Sequence, residues 1–345
     1  MTTDVKPTTR DQRLDVARGA AIIAIVLVHV TRGLQSAGEL SLTAQDMTTR
    51  AVGMWCLTVF TFVGGIFVPR AVEKMGLGAY LRDRTARFVA VYLVWTVLQG
   101  ALKWLAGGEV NHRTSIGQLF QIWRPDGQLW YLPFLILVTL IFVPMRPWLA
   151  NRALVVLGVA MVISVAFWGY DGGYIGTQGL GLVVFFVAGM VVGTARIQAV
   201  LDRFSVAQAA AISVLILVVT AVLSVRADAV VATDFWREHT VARTATGFVL
   251  TVVGSATILL FGQAARSSSF LALCGRRSLD IYLAHIIMVS GTRIVLLKLG
   301  VHQIWLLVPL TVLIGVGGSL ALATVCRRIG LGWVFDGPSW IARLR

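Results

Sequence analysis

The stretch Arg13-Leu-Asp-Val-Ala-Arg-Gly-Ala-Ala-Ile-Ile-Ala-Ile-Val-Leu-Val-His29 decides the fold. It opens an apolar run long enough to cross a bilayer, yet it carries Asp15 and Arg18 at its start and His29 deep inside. Ionisable groups within a span are costly, so each one is a functional hypothesis. Arg18 and His29 are eleven residues apart, three helical turns plus roughly 20°, so they share one face about 16 Å apart along the axis. Asp15, three residues before Arg18, falls near the same face. The competing reading is a polar stripe that only packs against other helices.

Composition extends this to the whole chain. Of the 345 residues, 57% are hydrophobic and 13% charged, against about 25% charged in a soluble domain. The apolar runs are about 20 residues long, as helices need, and do not alternate like barrel strands. The fold expected is an all-α, polytopic membrane helix bundle. Ten spans are expected, at roughly 16–35, 50–69, 88–106, 128–145, 153–170, 177–195, 206–225, 243–264, 279–299 and 304–326. The whole chain, 1–345, reads as one transmembrane domain with polar tails at 1–12 and 328–345. The first run lacks a small-residue cleavage site and is expected to stay as the first span.

With both termini placed in the cytoplasm, twenty of the thirty Lys and Arg fall in inside segments, as the positive-inside rule asks. The net charge of +14 then needs no nucleic-acid partner. Basic loops meet the anionic lipid of the inner leaflet. Cys56, Cys274 and Cys326 are scattered, with no CxxC spacing, so no metal site and no disulfide framework are expected.

Three further stretches carry chemistry. In the loop Arg70–Arg87, Arg84 and Arg87 are three apart and face the same way on a helix. Together with Arg70 they suit bidentate phosphate binding, or they are ordinary inside charge. Gly275-Arg-Arg-Ser-Leu-Asp-Ile-Tyr-Leu-Ala-His285 sets Tyr282 and His285 in the first turns of the ninth span. His285 reads equally as a substrate contact or as a core histidine bonded to a neighbouring helix. Asp126-Gly-Gln-Leu-Trp-Tyr-Leu-Pro133 opens the fourth span. There Asp126 and Gln128 suggest a polar rim at an outer mouth. Trp130 and Tyr131 read first as interfacial anchors.

Taken in order, these segments resemble the membrane-bound acyltransferase family 3, bacterial O-acyltransferases with a ten-helix core. The resemblance rests on the opening Arg13–Ile23 with its Arg18-to-His29 spacing, on Thr61-Phe-Val-Gly-Gly-Ile-Phe-Val-Pro-Arg70, and on Arg84-Thr-Ala-Arg87. It continues through Leu129-Trp-Tyr-Leu132, Phe185-Phe-Val-Ala-Gly-Met190 and Gly275–His285. Gly64-Gly65 stands where many members have Ser-Gly, and Tyr131 where Phe is usual.

The resemblance implies transfer of an acyl group, acetyl by family habit, from cytoplasmic acyl-CoA to a hydroxyl on an acceptor at the outer face. Such acceptors are surface glycans or glycolipids, and the membrane is the bacterial inner membrane. It implies His29, Arg18 and Asp15 as catalytic residues and Arg70, Arg84 and Arg87 as the donor site. It also implies acceptor contacts among Asp126, Trp130, Tyr131, Tyr282 and His285. An imidazole with an ordinary pKa of about 6.5 suits a general base. Arg18 lies too far along the helix to act at the same atom and is assigned to the thioester or pantetheine end, or to a pair with Asp15. A secondary transporter or flippase for an anionic or sugar substrate is the alternative, against which stand the missing repeat and the lack of broken helices with paired Gly/Pro signals. A third is a degenerate member that only binds its ligand.

Overall fold

The structure is a computed structural model that describes residues 11–106, 121–125, 127–235 and 239–338. It is an all-helical membrane bundle, with no strand among the described residues. The helices are α1 (Arg13–Ser36), α2 (Leu42–Thr48), α3 (Met54–Ile66), α4 (Val68–Met75), α5 (Leu77–Ala106) and α6 (Tyr131–Phe142). They continue as α7 (Ala150–Ala166), α8 (Val183–Leu201), α9 (Val206–Arg226), α10 (Val241–Ala264), α11 (Ser269–Arg276), α12 (Ser278–Lys298), α13 (Ile304–Arg328) and the short α14 (Trp333–Asp336). A π turn, Thr49–Gly53, joins α2 to α3, and 3-10 turns lead into α6 and α8.

Each of the ten expected segments overlaps a helix. Eight segments among the described residues are long and apolar enough to cross a membrane; Gly127–Phe142 and Ala150–Ala166 are shorter. The 17 residues of α7 rise about 25 Å, less than the roughly 30 Å hydrocarbon core. Helix starts are set by side chains that take up orphan backbone N–H groups. Ser41, Ser205, Thr240 and Ser268 each accept from the backbone three residues on, and Gln208 completes a capping box with Ser205.

Helix α1 is the axis of the bundle. It buries residues on every face, Val16, Ala21, Ile22, Val26, Val30 and Leu34 among them. By contrast α7 and α9 leave Leu154, Val155, Val162, Val214 and Leu215 more than 60% exposed, as lipid-facing helices do. Between helices in lipid there is no hydrophobic drive, so small residues that admit close backbone contact decide the packing. Gly19 and Gly275 form one such crossing: a Cβ on Gly19 would strike the Leu271 carbonyl, and one on Gly275 the Asp15 carbonyl. Gly65 of α3 and Gly189 of α8 form another, each against the other helix's backbone, at Phe186 and Phe62.

At the end of the bundle where α1 begins, the chain's last described residues fold back. Trp95 Nε1 donates to the Val334 carbonyl at 2.9 Å, and the Trp95 ring meets Phe335 edge-on at 5.2 Å. Arg87 donates to the Asp336 carbonyl. This basic end therefore holds both described chain ends. At the opposite end, Ala229–Ala232 between α9 and α10 is buried. It is pinned by Trp168 Nε1 on the Val230 carbonyl at 2.8 Å and by the Gly169 amide on that of Ala232.

Gly189→Val should be poorly tolerated, since overpacking costs about 1–3 kcal/mol or more. Gly158→Val on the open face of α7, where a Cβ meets nothing within 4 Å, should be neutral. Thermal unfolding of both variants in one detergent checks this: the first midpoint should fall by several degrees and the second should match wild type.

Candidate active site

Helices α1 and α12 run the same way and in register. Arg18 Nη2 donates to Ser278 Oγ at 2.6 Å near their starts, and Arg293 Nη1 donates to the Gly33 carbonyl fifteen residues further along both helices. Between these rungs the rings of His29 and His285 lie 5.0 Å apart, tilted by 56°. The Arg18-to-His29 stripe therefore faces α12, and its polar members are matched by polar members of the partner helix.

A cavity of about 220 Å³ follows this stripe. Arg18, Ile22 and Ile25 of α1 form one wall; the next position on the same face is His29. Arg84 and Phe88 of α5, Phe60 and Gly64 of α3, Thr139 of α6 and Ser278 of α12 complete much of the lining. At under the usual 300–1,000 Å³ of ligand pockets, it suits a slender chain better than a bulky ring. Two guanidiniums border it. Arg18 sits 5.8 Å from the Phe60 ring, and Arg84 lies between Tyr80 and Phe88, at 5.8 and 5.9 Å.

Tyr131 and Tyr282 also line the cavity, their rings 6.1 Å apart and edge-on. Both hydroxyls are tied back. Tyr131 shares a hydrogen bond with Thr61 at 3.0 Å, and Tyr282 donates to the Gln128 carbonyl. One turn beyond Tyr282 lies His285, wholly buried, with its ring 6.4 Å from that of Tyr282.

The acyltransferase domain family model matches residues 11–328. The chain belongs to this acyltransferase family. It is a membrane acyltransferase, and the match spans nearly all of it, from the start of α1 to the end of α13. No curated protein and no solved structure matches the chain at a significant level.

The acyltransferase gathers some of the residues read from its sequence and disperses others. Arg18, Arg84, Tyr131 and Tyr282 meet on one cavity, with His29 and His285 just past its end. Asp15 is buried where α1 crosses α11, its carbonyl against Gly275. Arg70 is exposed on α4 and is not among the cavity's lining residues. Arg87 turns away from Arg84, towards Asp83 at 3.4 Å and the Asp336 carbonyl. Asp126 lies outside the described residues.

The anchor reading of Tyr131 and the rim reading of Gln128 are both corrected. Tyr131 is 7% exposed and Gln128 5%, because Gln128 and Leu129 of the turn Gly127–Trp130 tuck into the bundle, with the Gln128 carbonyl against Tyr282. Trp130 is half-buried among Tyr131, Phe134 and Phe235. Ser278 and Thr61 were not singled out, although both lie within the quoted motifs. Arg32, one turn past His29, was missed as well. Arg32 and Arg50 both attract Asp234, whose carboxyl burial nonetheless pushes above its ordinary range.

A second polar cluster braces the basic end. Asp280 is buried and accepts from Arg277 and, in a fork at 2.8 and 2.9 Å, from Arg327. Arg327 also grips Asp336 at 2.7 and 2.8 Å. Removing the buried carboxylate takes from Arg277 and Arg327 the acceptor they share, at a cost of about 1–3 kcal/mol. Losing an exposed one costs roughly 0–1 kcal/mol. Asp280→Ala should therefore lower the thermal midpoint far more than Asp336→Asn. Equal losses in a detergent melt would contradict this ranking.

Proposed function

We propose that the chain is an O-acyltransferase that takes an acyl group, most simply acetyl, from cytoplasmic acyl-CoA and gives it to a hydroxyl of a glycan or glycolipid on the other side of a bacterial cytoplasmic membrane. The observation that supports this best is the narrow cavity along α1. It starts between two guanidiniums at the basic end and stops one turn short of two histidines. The basic end is taken as cytoplasmic under the positive-inside rule.

In this reading Arg84 and Arg18 attract the phosphates and amides of CoA, with charge-assisted hydrogen bonds. The pantetheine arm lies along Ile22 and Ile25. The thioester then reaches the level of Tyr131 and Tyr282, and the acceptor approaches from the opposite end. The acceptor oxygen attacks the thioester carbonyl carbon while His29 takes its proton. The tetrahedral intermediate collapses with loss of the C–S bond. The departing thiolate takes the proton back from the imidazolium, leaving an ester, free CoA and neutral His29.

Arg84→Ala should weaken acetyl-CoA binding at least tenfold, since a hydrogen bond to a charged group contributes about 1.5–3 kcal/mol. Arg87→Ala should spare affinity and lower the thermal midpoint, because Arg87 holds the C-terminal turn. His29→Ala should bind acetyl-CoA as wild type does yet lose roughly 10²–10⁴ in transfer. Titration calorimetry in detergent and thiol detection of released CoA, with octyl glucoside as hydroxyl acceptor, measure these. Failure of folded wild type to bind acetyl-CoA would sink the donor assignment, and full turnover by His29→Ala would sink the base.

A further inference from the structure

His285 is the residue whose geometry the proposed reaction leaves unused. Its Nδ1 faces two backbone carbonyls of its own helix, Ile281 at 3.0 Å and Tyr282 at 2.8 Å. Carbonyl oxygens only accept, so Nδ1 must carry the proton. In the neutral ring Nε2 is then a bare acceptor. It points away from those carbonyls, is buried, and has no hydrogen-bond partner among the described residues. A buried acceptor left without a donor is costly, and native structures seldom leave one. The neighbouring imidazole is His29, with ring centroids 5.0 Å apart. The His29 ring is partly exposed, and turned towards His285 its N–H would supply the donor that Nε2 lacks.

We infer that His285 is a positioning residue: its Nδ1–H tautomer, locked by the carbonyls of Ile281 and Tyr282, offers Nε2 to an N–H of His29 and leaves the other His29 nitrogen with its lone pair for the acceptor hydroxyl. A neutral imidazole here does the orienting task that a carboxylate does in serine-protease triads. In an apolar span a neutral group avoids the cost of a buried anion. The lock is local to α12, so it survives movements of the other helices. The inference rests on His29 being the base of the proposed reaction, but the tautomer claim stands on geometry alone.

Two measurements test it. The first is nitrogen NMR of protein labelled with ¹⁵N-histidine, in nanodiscs, assigned through His29→Ala and His285→Phe. His285 should show a single Nδ1–H tautomer, and His29 a single tautomer that becomes a mixture in His285→Phe. A mixture at His29 in the wild type, or no change in the variant, overturns the inference whether or not transfer is detected. The second is kinetics with acetyl-CoA and octyl glucoside. His285→Phe should lower kcat roughly a hundredfold, less than the ~10⁴ lost when the triad carboxylate is neutralised. KM for acetyl-CoA should stay within about twofold. His285→Gln, whose side-chain carbonyl falls near the Nε2 position, should recover at least a tenth of wild-type kcat. Unchanged kcat in His285→Phe, or a loss confined to KM, would overturn a positioning role. Absence of transfer in wild type with the expected spectra would count against the acyl-transfer reading and leave the histidine pair intact.

Discussion

The close packing of α1 on α11, which runs against it, and on α12, which runs with it, is the constraint from which the rest of the structure follows. Gly19 and Gly275 let the backbones approach at the basic end. The Arg18–Ser278 and Arg293–Gly33 hydrogen bonds then fix register over fifteen residues of both helices. A slip of one residue would turn Arg18 and His29 by about 100°, taking the first off the cavity and the second off His285. In lipid such a register cannot be held by apolar burial, because lipid tails are as apolar as the helices. Small residues and interhelical hydrogen bonds must hold it, and both are present along this one seam.

Much of this was legible in the sequence, for identifiable reasons. Span positions follow from apolar runs whose length the bilayer sets: each of the ten runs overlaps a helix, and eight segments among the described residues are long enough to cross. The Arg18–His29 stripe was legible because helical spacing alone puts both on one face. The quoted segments around Gly65 and Gly189 were legible as motifs but not as contacts. Only the structure sets the two glycines against each other's helices, which gives a packing reason for their lack of a side chain.

What escaped was long-range. The spacing of Arg84 and Arg87 gives them a common direction, but spacing carries no information about their acceptors. Asp83 stands four residues before Arg87, and Asp336 arrives from the far end of the chain, so Arg87 is drawn into the brace. Arg84 stays between two aromatic rings at the cavity. Trp130 and Tyr131 sit where an interfacial belt is expected. Hydropathy cannot tell the end of a straight span from a segment that dips into the bundle. The hydroxyl bonds of Tyr131 and Tyr282 reveal the dip. His285 was poised between two readings for the same reason: the bonds to Ile281 and Tyr282 were predictable from the helix, but the imidazole of His29 beside it was not.

The tyrosine pair also bears on why a reactive thioester would be safe in such a cavity. Under the proposed reaction, water is the competing nucleophile, and the basic end must be wet enough to admit CoA. On the side nearer the histidines, Tyr131 and Tyr282 line the cavity with two aromatic rings whose hydroxyls are already bonded. They therefore offer little reason for water to collect beyond them. His285 lies one turn beyond Tyr282 and beside His29, and the Nδ1–H of His285 is spent on its own helix. Under the proposed reaction the two tyrosine rings thin the water between the wet basic end and His29, whose own ring is partly exposed. Exclusion of water in this way favours transfer over hydrolysis. The same rings make the side from which the acceptor enters matter, because a hydroxyl arriving with the donor would meet the tyrosines before it met the base.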